Sequence, residues 1–150
     1  MNILVSACLL GISCRYDGRG GTCEELQRLA ERHHLIPVCP ECYGGLPPPR
    51  PPAEILPEDG ESGIRVVTRD GADVTAQYIK GGQAAVELAA FFHCTVAILK
   101  SRSPACGHGR IHDGGFAGGM RDGDGVAARM LIERGLRILN ETQTEEIRRL

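Results

Sequence analysis

Asn2-Ile3-Leu4-Val5-Ser6-Ala7-Cys8, lying directly behind Met1, is the stretch on which the fold turns. It is a short apolar run that ends on a cysteine, and such a run reads as a strand buried in a sheet. Leu35-Ile36-Pro37-Val38 repeats the pattern and ends on Cys39. Thr95-Val96-Ala97-Ile98-Leu99 repeats it again, with Cys106 a few residues further on. Leu136 to Leu139 supplies a fourth core strand.

The segments between these strands read as helices and loops. Thr22-Cys23-Glu24-Glu25 is a capping-box pattern that predicts a helix to about His34. Asp73 or Thr75 can cap a second helix to about Phe92, and Asp124 a third to Arg134, with Gly135 as its stop. Thr142-Gln143-Thr144-Glu145 predicts a short last helix. Pro40 to Gly63 holds most of the prolines, so it predicts a stiff polyproline-like loop and no helix. Ile64 to Thr68 reads as a small edge strand, and Lys100 to Gly123 as a long glycine-rich loop.

Strands alternating with helices imply an α/β fold: one mostly parallel, doubly wound, Rossmann-like sheet with long functional loops. At 150 residues, the expectation is a single domain spanning 1–150. If the first two strands are neighbours and the third lies on the other side of the first, the chain order reverses beside the first strand. Ligands bind outside the carboxyl ends of strands at such a point. Cys8, Cys39 and Cys106 each follow a core strand, so all three are expected at that one edge.

Composition narrows the function. A formal net charge of -2 gives no electrostatic footprint for nucleic acid, and three Tyr, three Phe and no Trp argue against a surface that stacks strands of bases. No apolar run is long enough to span a membrane, and the N-terminus lacks the charged n-region and cleavage site of a signal peptide. The expected compartment is the cytoplasm, where structural disulfides are rare. Seven cysteines, an odd number, then point to metal binding or catalysis. Cys23 and Cys94, and in part Cys14, read equally well as small buried hydrophobes.

Three thiolates on one crevice can hold an iron–sulfur cluster or a zinc ion, or form a redox pair. Cys39-Pro40-Glu41-Cys42 is a Cys-x-x-Cys pair, without a second such pair to complete a zinc site. Cys106 with His108 and His112 leaves a Cys/His zinc site open, and Cys39 with Cys42 leaves a thioredoxin-like role open. Arg50 reads as a partner for Glu54, and His33 and His34 as helix-end residues. The Gly114-Gly115-Phe116-Ala117-Gly118-Gly119 run neither follows a strand directly nor opens a helix, so it is not a dinucleotide loop.

The motifs together are more specific. They are Ser6-Ala7-Cys8-Leu9-Leu10-Gly11, Cys14-Arg15-Tyr16-Asp17-Gly18, Cys39-Pro40-Glu41, Gly44-Gly45-Leu46-Pro47, Pro49-Arg50-Pro51-Pro52-Ala53-Glu54, Asp73-Val74-Thr75, Leu99-Lys100, Ser103-Pro104-Ala105-Cys106-Gly107 and Gly123-Asp124-Gly125-Val126. In this order, over nearly the whole chain, they resemble the TudS-type thiouracil desulfidase family. The resemblance implies a [4Fe-4S] cluster held by Cys8, Cys39 and Cys106, with one iron open to the substrate's sulfur. It also implies Glu41 as catalytic acid and base, and Ser103 beside the substrate. Arg15, Tyr16 and Asp17 offer donors and an acceptor suited to a pyrimidine edge. The expected substrate is a small thiolated pyrimidine, 2- or 4-thiouracil, converted to uracil with release of sulfide and no net redox change. The rival is a non-catalytic iron–sulfur or zinc-binding redox-sensing module, which a fourth ligand from Cys42 or Cys14 would favour.

Overall fold

The computed structural model describes residues 1–57 and 63–150, so the end of the proline-rich segment, 58–62, lies outside the described residues. The central sheet contains β1 (Asn2–Ser6), β2 (His34–Val38), β5 (Val96–Leu99) and β8 (Arg137–Asn140), in the order β2-β1-β5-β8. Every pairing in it is parallel. β1 pairs Ser6 with Val38 on one side and Val5 with Ile98 on the other. The order therefore reverses at β1, as the α/β Rossmann-like expectation requires.

Ile3, Leu4 and Val5 are all buried because both faces of the sheet are covered. Leu4, Ala97 and Leu99 pack with Ala85, Ala89, Ala128 and Leu131 of α3 (Thr75–Phe91) and α4 (Val126–Glu133). Ile3, Val5 and Ile98 pack with Leu26, Leu29 and Ile147 of α1 (Glu24–Leu29) and α5 (Thr144–Arg148). Side chains that alternate along a strand thus feed two separate apolar layers.

Several expectations are corrected. The first helix ends at Leu29, and His34 instead begins β2, opposite Asn2. The segment after Cys39 does contain a helix, α2 (Pro40–Tyr43). Proline is tolerated there because it sits in the first turn, whose N–H groups lack helical partners anyway. β3 (Ala53–Ile55) pairs antiparallel with β4 (Val66–Thr68), so the proline loop gives way to a small second sheet. The glycine-rich loop carries an antiparallel hairpin, β6 (Arg110–His112) with β7 (Met120–Asp122). Asp124 does not cap α4; its carboxylate takes the His108 ring and the Gly109 N–H. Among the described residues no helix is long and apolar enough to cross a membrane.

Candidate active site

The carboxyl ends of β1, β2 and β5 open on a cavity of about 440 Å³. Cys8, Cys39 and Cys106 all line it, as do Glu41, Ser103, Arg15 and Tyr16. Asp17 is not on its wall: its carboxylate accepts the Arg19 N–H and faces Arg15 at 3.9 Å, closing the turn that presents its neighbours.

Each cysteine is held by local structure that follows from the sequence. Cys8 sits in the 3-10 turn Ala7–Leu9 that directly follows β1. Cys39 directly follows β2 and precedes Pro40, the first residue of α2. Cys106 lies in a tight turn: the Ser103 hydroxyl oxygen accepts the Ala105 and Cys106 N–H groups at 3.1 Å each, and Gly107 N–H donates to Ser103 C=O at 2.8 Å. The start of α4 is laced into the same turn, with Val126 and Ala127 N–H donating to the Pro104 and Ala105 carbonyls at 2.9 Å. Gly125 permits this approach, since a Cβ there would lie 2.5 Å from the Ala105 carbonyl carbon. α2 is seated similarly: a Cβ on Gly81 of α3 would lie 1.8 Å from the Pro40 carbonyl oxygen.

Glu41 stands in the first turn of α2, and both its oxygens are engaged. The Tyr78 hydroxyl donates to Oε1 at 2.7 Å, and Arg50 pairs with Oε2. Arg50 is thus the partner of Glu41 rather than of Glu54. Its side chain is 6% exposed, and the guanidinium also donates to Cys14 C=O at 2.9 Å and Leu46 C=O at 3.1 Å. With the Arg50 N–H donating to Tyr16 C=O at 2.9 Å, one arginine ties the proline loop to the Cys14–Tyr16 loop and to α2. Burial alone would lower the Arg50 pKa, but the Glu41 charge outweighs it and the net shift is upward. Tyr78 is pushed far above the usual tyrosine value by burial and then by the Glu41 charge, so it is a neutral donor.

Burial, followed by the neighbouring Cys39, raises the Cys8 pKa to about 11 and that of Cys14 to about 12. Cys42 rises to about 11 through burial and its hydrogen bond with Cys39. Cys106 rises chiefly through burial, while the Ser6 hydroxyl pulls the other way. Cys14 lines the cavity too, and the Cys39 thiol donates to its carbonyl at 3.7 Å. The seven cysteines are all free thiols. The Cys106, His108 and His112 set does not assemble: His108 is turned to Asp124 at 2.7 Å, and only His112 of the two imidazoles lines the cavity.

The 2-thiouracil desulfurase family model matches residues 3–143. The chain belongs to the 2-thiouracil desulfurase family. It is 38% identical over 149 residues to the protein YbbK of Bacillus subtilis (strain 168), covering 97% of this chain and 99% of that one. It is also similar to the solved structure of the [4Fe-4S]-dependent thiouracil desulfidase TudS, at 40% identity and a TM-score of 0.87, over 97% of this chain and 94% of that one. The α/β architecture with its mostly parallel sheet agrees with that likeness.

Tyr78 and Lys100 belong to this desulfurase-family cavity without having received a role from the sequence. Tyr78 carried a usable signal: it falls in phase with Ala85 and Ala89 on the buried face of α3, where a hydroxyl needs a partner. Lys100 also lines the cavity, and Glu141 holds it by an ion pair while accepting the Ser101 N–H and hydroxyl at 2.8 Å each. The 41-residue separation of that pair gives no sequence pattern.

Proposed function

We propose that this chain, working as one desulfidase domain over 1–150, replaces the thiocarbonyl sulfur of 2- or 4-thiouracil with oxygen from water. The products are uracil and sulfide, and the exchange consumes no electrons. Cys8, Cys39 and Cys106 would hold a [4Fe-4S] cluster, leaving one iron without a protein ligand. The observation that carries the reading is the meeting of three thiols from three strand ends on one cavity that also contains Glu41.

The donor set fits such a cluster. Thiols are soft ligands, and a cubane is held by thiolates that each take a different iron. Among the described residues no three His, Cys, Asp or Glu side chains are grouped as one metal ion would need. Thiols spread around a cavity suit a polynuclear centre better than zinc. When bound, the cluster would supply a Lewis acid for the thiocarbonyl sulfur at its open iron.

The protein's own residues would do the rest. Glu41 takes the proton from the attacking water on a carboxylate oxygen and returns it to the departing sulfur or ring nitrogen. Tyr78 and Arg50 fix that carboxylate, each using one of its oxygens and leaving lone pairs for water. Ser103 keeps its hydroxyl proton free while its oxygen accepts two N–H groups, so it can donate to the substrate as it braces the Cys106 turn. Arg15 and Tyr16 offer the donors for the pyrimidine edge.

A second reading has a specific observation behind it. Cys14 lines the cavity with its carbonyl accepting the Cys39 thiol, and Cys42 shares a hydrogen bond with Cys39. A fourth thiolate from either would close the open iron and make the centre non-catalytic. Single alanine variants, purified anaerobically, separate the two. Loss of bound iron and brown absorption in Cys8→Ala, Cys39→Ala and Cys106→Ala, with both kept in Cys14→Ala and Cys42→Ala, supports the three-ligand site. Full iron content in Cys106→Ala contradicts it.

A further inference from the structure

The glycine-rich tip between β6 and β7 reaches the cavity. Its residue Phe116 lines the cavity, together with Gly118 and with His112 at the end of β6. Phe116 has φ 55°, in the left-handed region that favours glycine. Non-glycine residues held there cluster at binding sites, because the surroundings must enforce the conformation.

Those surroundings are built. Glu54 on β3 is 7% exposed, and its Oε1 accepts the Gly114 N–H at 3.0 Å and the Phe116 N–H at 3.2 Å. Arg121 on β7 reaches back to the Ile55 and Leu56 carbonyls at 3.3 and 3.4 Å. Gly114 lies so close to β3 that an added Cβ would be 3.0 Å from the Ile55 carbonyl oxygen. A buried carboxylate, an arginine and a close glycine contact thus lock the tip on the small second sheet. The phenyl ring is held on the cavity wall at little further entropic cost.

Tyr78, Tyr16 and Phe116 are the Phe and Tyr rings on that wall among the described residues. Tyr78 is buried and committed to Glu41, and Tyr16 is 45% exposed. Phe91 and Phe92 pack on each other at the far end of α3. We propose that Phe116 is the platform on which the substrate's planar ring stacks, and that Glu54 is the positioning residue that holds it there. This rests on the thiouracil reading above and adds how the cavity selects a flat, conjugated ring. A thiocarbonyl supplies the soft sulfur, and Phe116 tests whether that group belongs to a planar heterocycle.

Uracil and 5,6-dihydrouracil separate stacking from hydrogen bonding. They share the same carbonyl and N–H edge, but the saturated ring is puckered and has no conjugated face. Base–aromatic stacking is worth roughly 5- to 150-fold in affinity. Calorimetric titration of the cluster-loaded parent is expected to show a uracil preference on that scale. Phe116→Leu should bring the ratio close to one, and Phe116→Tyr should restore it. With thiouracil, Phe116→Leu should raise KM by a similar factor while kcat stays near the parent value, since stacking serves ground and transition states alike. Glu54→Ala should lose the same preference without loss of iron. An active parent whose uracil preference is unchanged in Phe116→Leu overturns this inference alone. A parent that neither binds uracil nor desulfurates thiouracil overturns the functional reading and this inference with it.

Discussion

Arg50 is the clearest place to test whether the site is organised as described. Arg50→Met keeps much of the side chain's length and removes its charge. Three contacts are lost: the ion pair with Glu41 and the bonds to Cys14 and Leu46 carbonyls. Each carbonyl bond from the charged guanidinium is worth about 1.5–3 kcal/mol net. Stranding one partner of a buried pair costs about 3–5 kcal/mol in total, because an uncompensated charge remains. Glu41 is 15% exposed, so it has little water to fall back on. Adding Glu41→Gln to Arg50→Met removes that stranded charge, so the double variant should cost clearly less than the two single variants summed, its loss coming chiefly from the two carbonyl bonds. The two substitutions should therefore be strongly non-additive. Urea unfolding of the metal-free protein, kept reduced, measures all corners of the cycle without interference from cluster loss. Effects that add to within about 0.5 kcal/mol would show that the pair does not organise the cavity.

Three further outcomes are expected. Glu41→Gln should slow desulfuration by about a hundredfold to ten-thousandfold with iron content and visible spectrum unchanged; a rate near the parent's would remove Glu41 from the proton transfer. Glu141→Gln tests the clamp on Lys100. Burial raises the Glu141 pKa, but the Lys100 and Ser101 hydrogen bonds outweigh it and leave it below the ordinary carboxylate value. A depressed carboxylate gives stability that is present above its unfolded pKa and lost as pH falls through its folded one. The parent should therefore be about 1–3 kcal/mol more stable than Glu141→Gln at pH 7, with the gap closing in acid, and a pH-independent gap would contradict the clamp. In the metal-free protein, Cys8 at about 11, against an ordinary 9.0, should be alkylated near neutral pH roughly a hundredfold more slowly than a free thiol; mass spectrometry at the Cys8 peptide reads this.

The parts of this fold that were legible in the sequence are those with a local signature. Runs such as Asn2–Ser6 and Val96–Leu99 are apolar at nearly every position because helices cover both faces of the sheet. That pattern by itself brings Cys8, Cys39 and Cys106 to one edge. The α2 helix is hidden in the sequence because Pro40 looks like a breaker, whereas at the first helical position its missing N–H costs nothing. The β6–β7 hairpin leaves no pattern because its strands span only three residues each, with one apolar residue apiece. Arg50 was matched to Glu54 by its Pro-Pro-Ala-Glu context, yet a chain turn sends it to Glu41 and leaves Glu54 to the hairpin tip. Such pairings depend on three-dimensional return of the chain, as Lys100 with Glu141 also does, and periodicity carries no trace of them.

The central claim is that water, and not an electron donor, drives the release of sulfur. The direct measurement is anaerobic turnover of 2- and 4-thiouracil by the cluster-loaded protein in ¹⁸O-labelled water, with no reductant, following uracil and sulfide together. The account predicts uracil and sulfide in equal amounts over many turnovers, with one labelled oxygen in each uracil. A strict need for stoichiometric reductant, or uracil formed without label from the water, would contradict it.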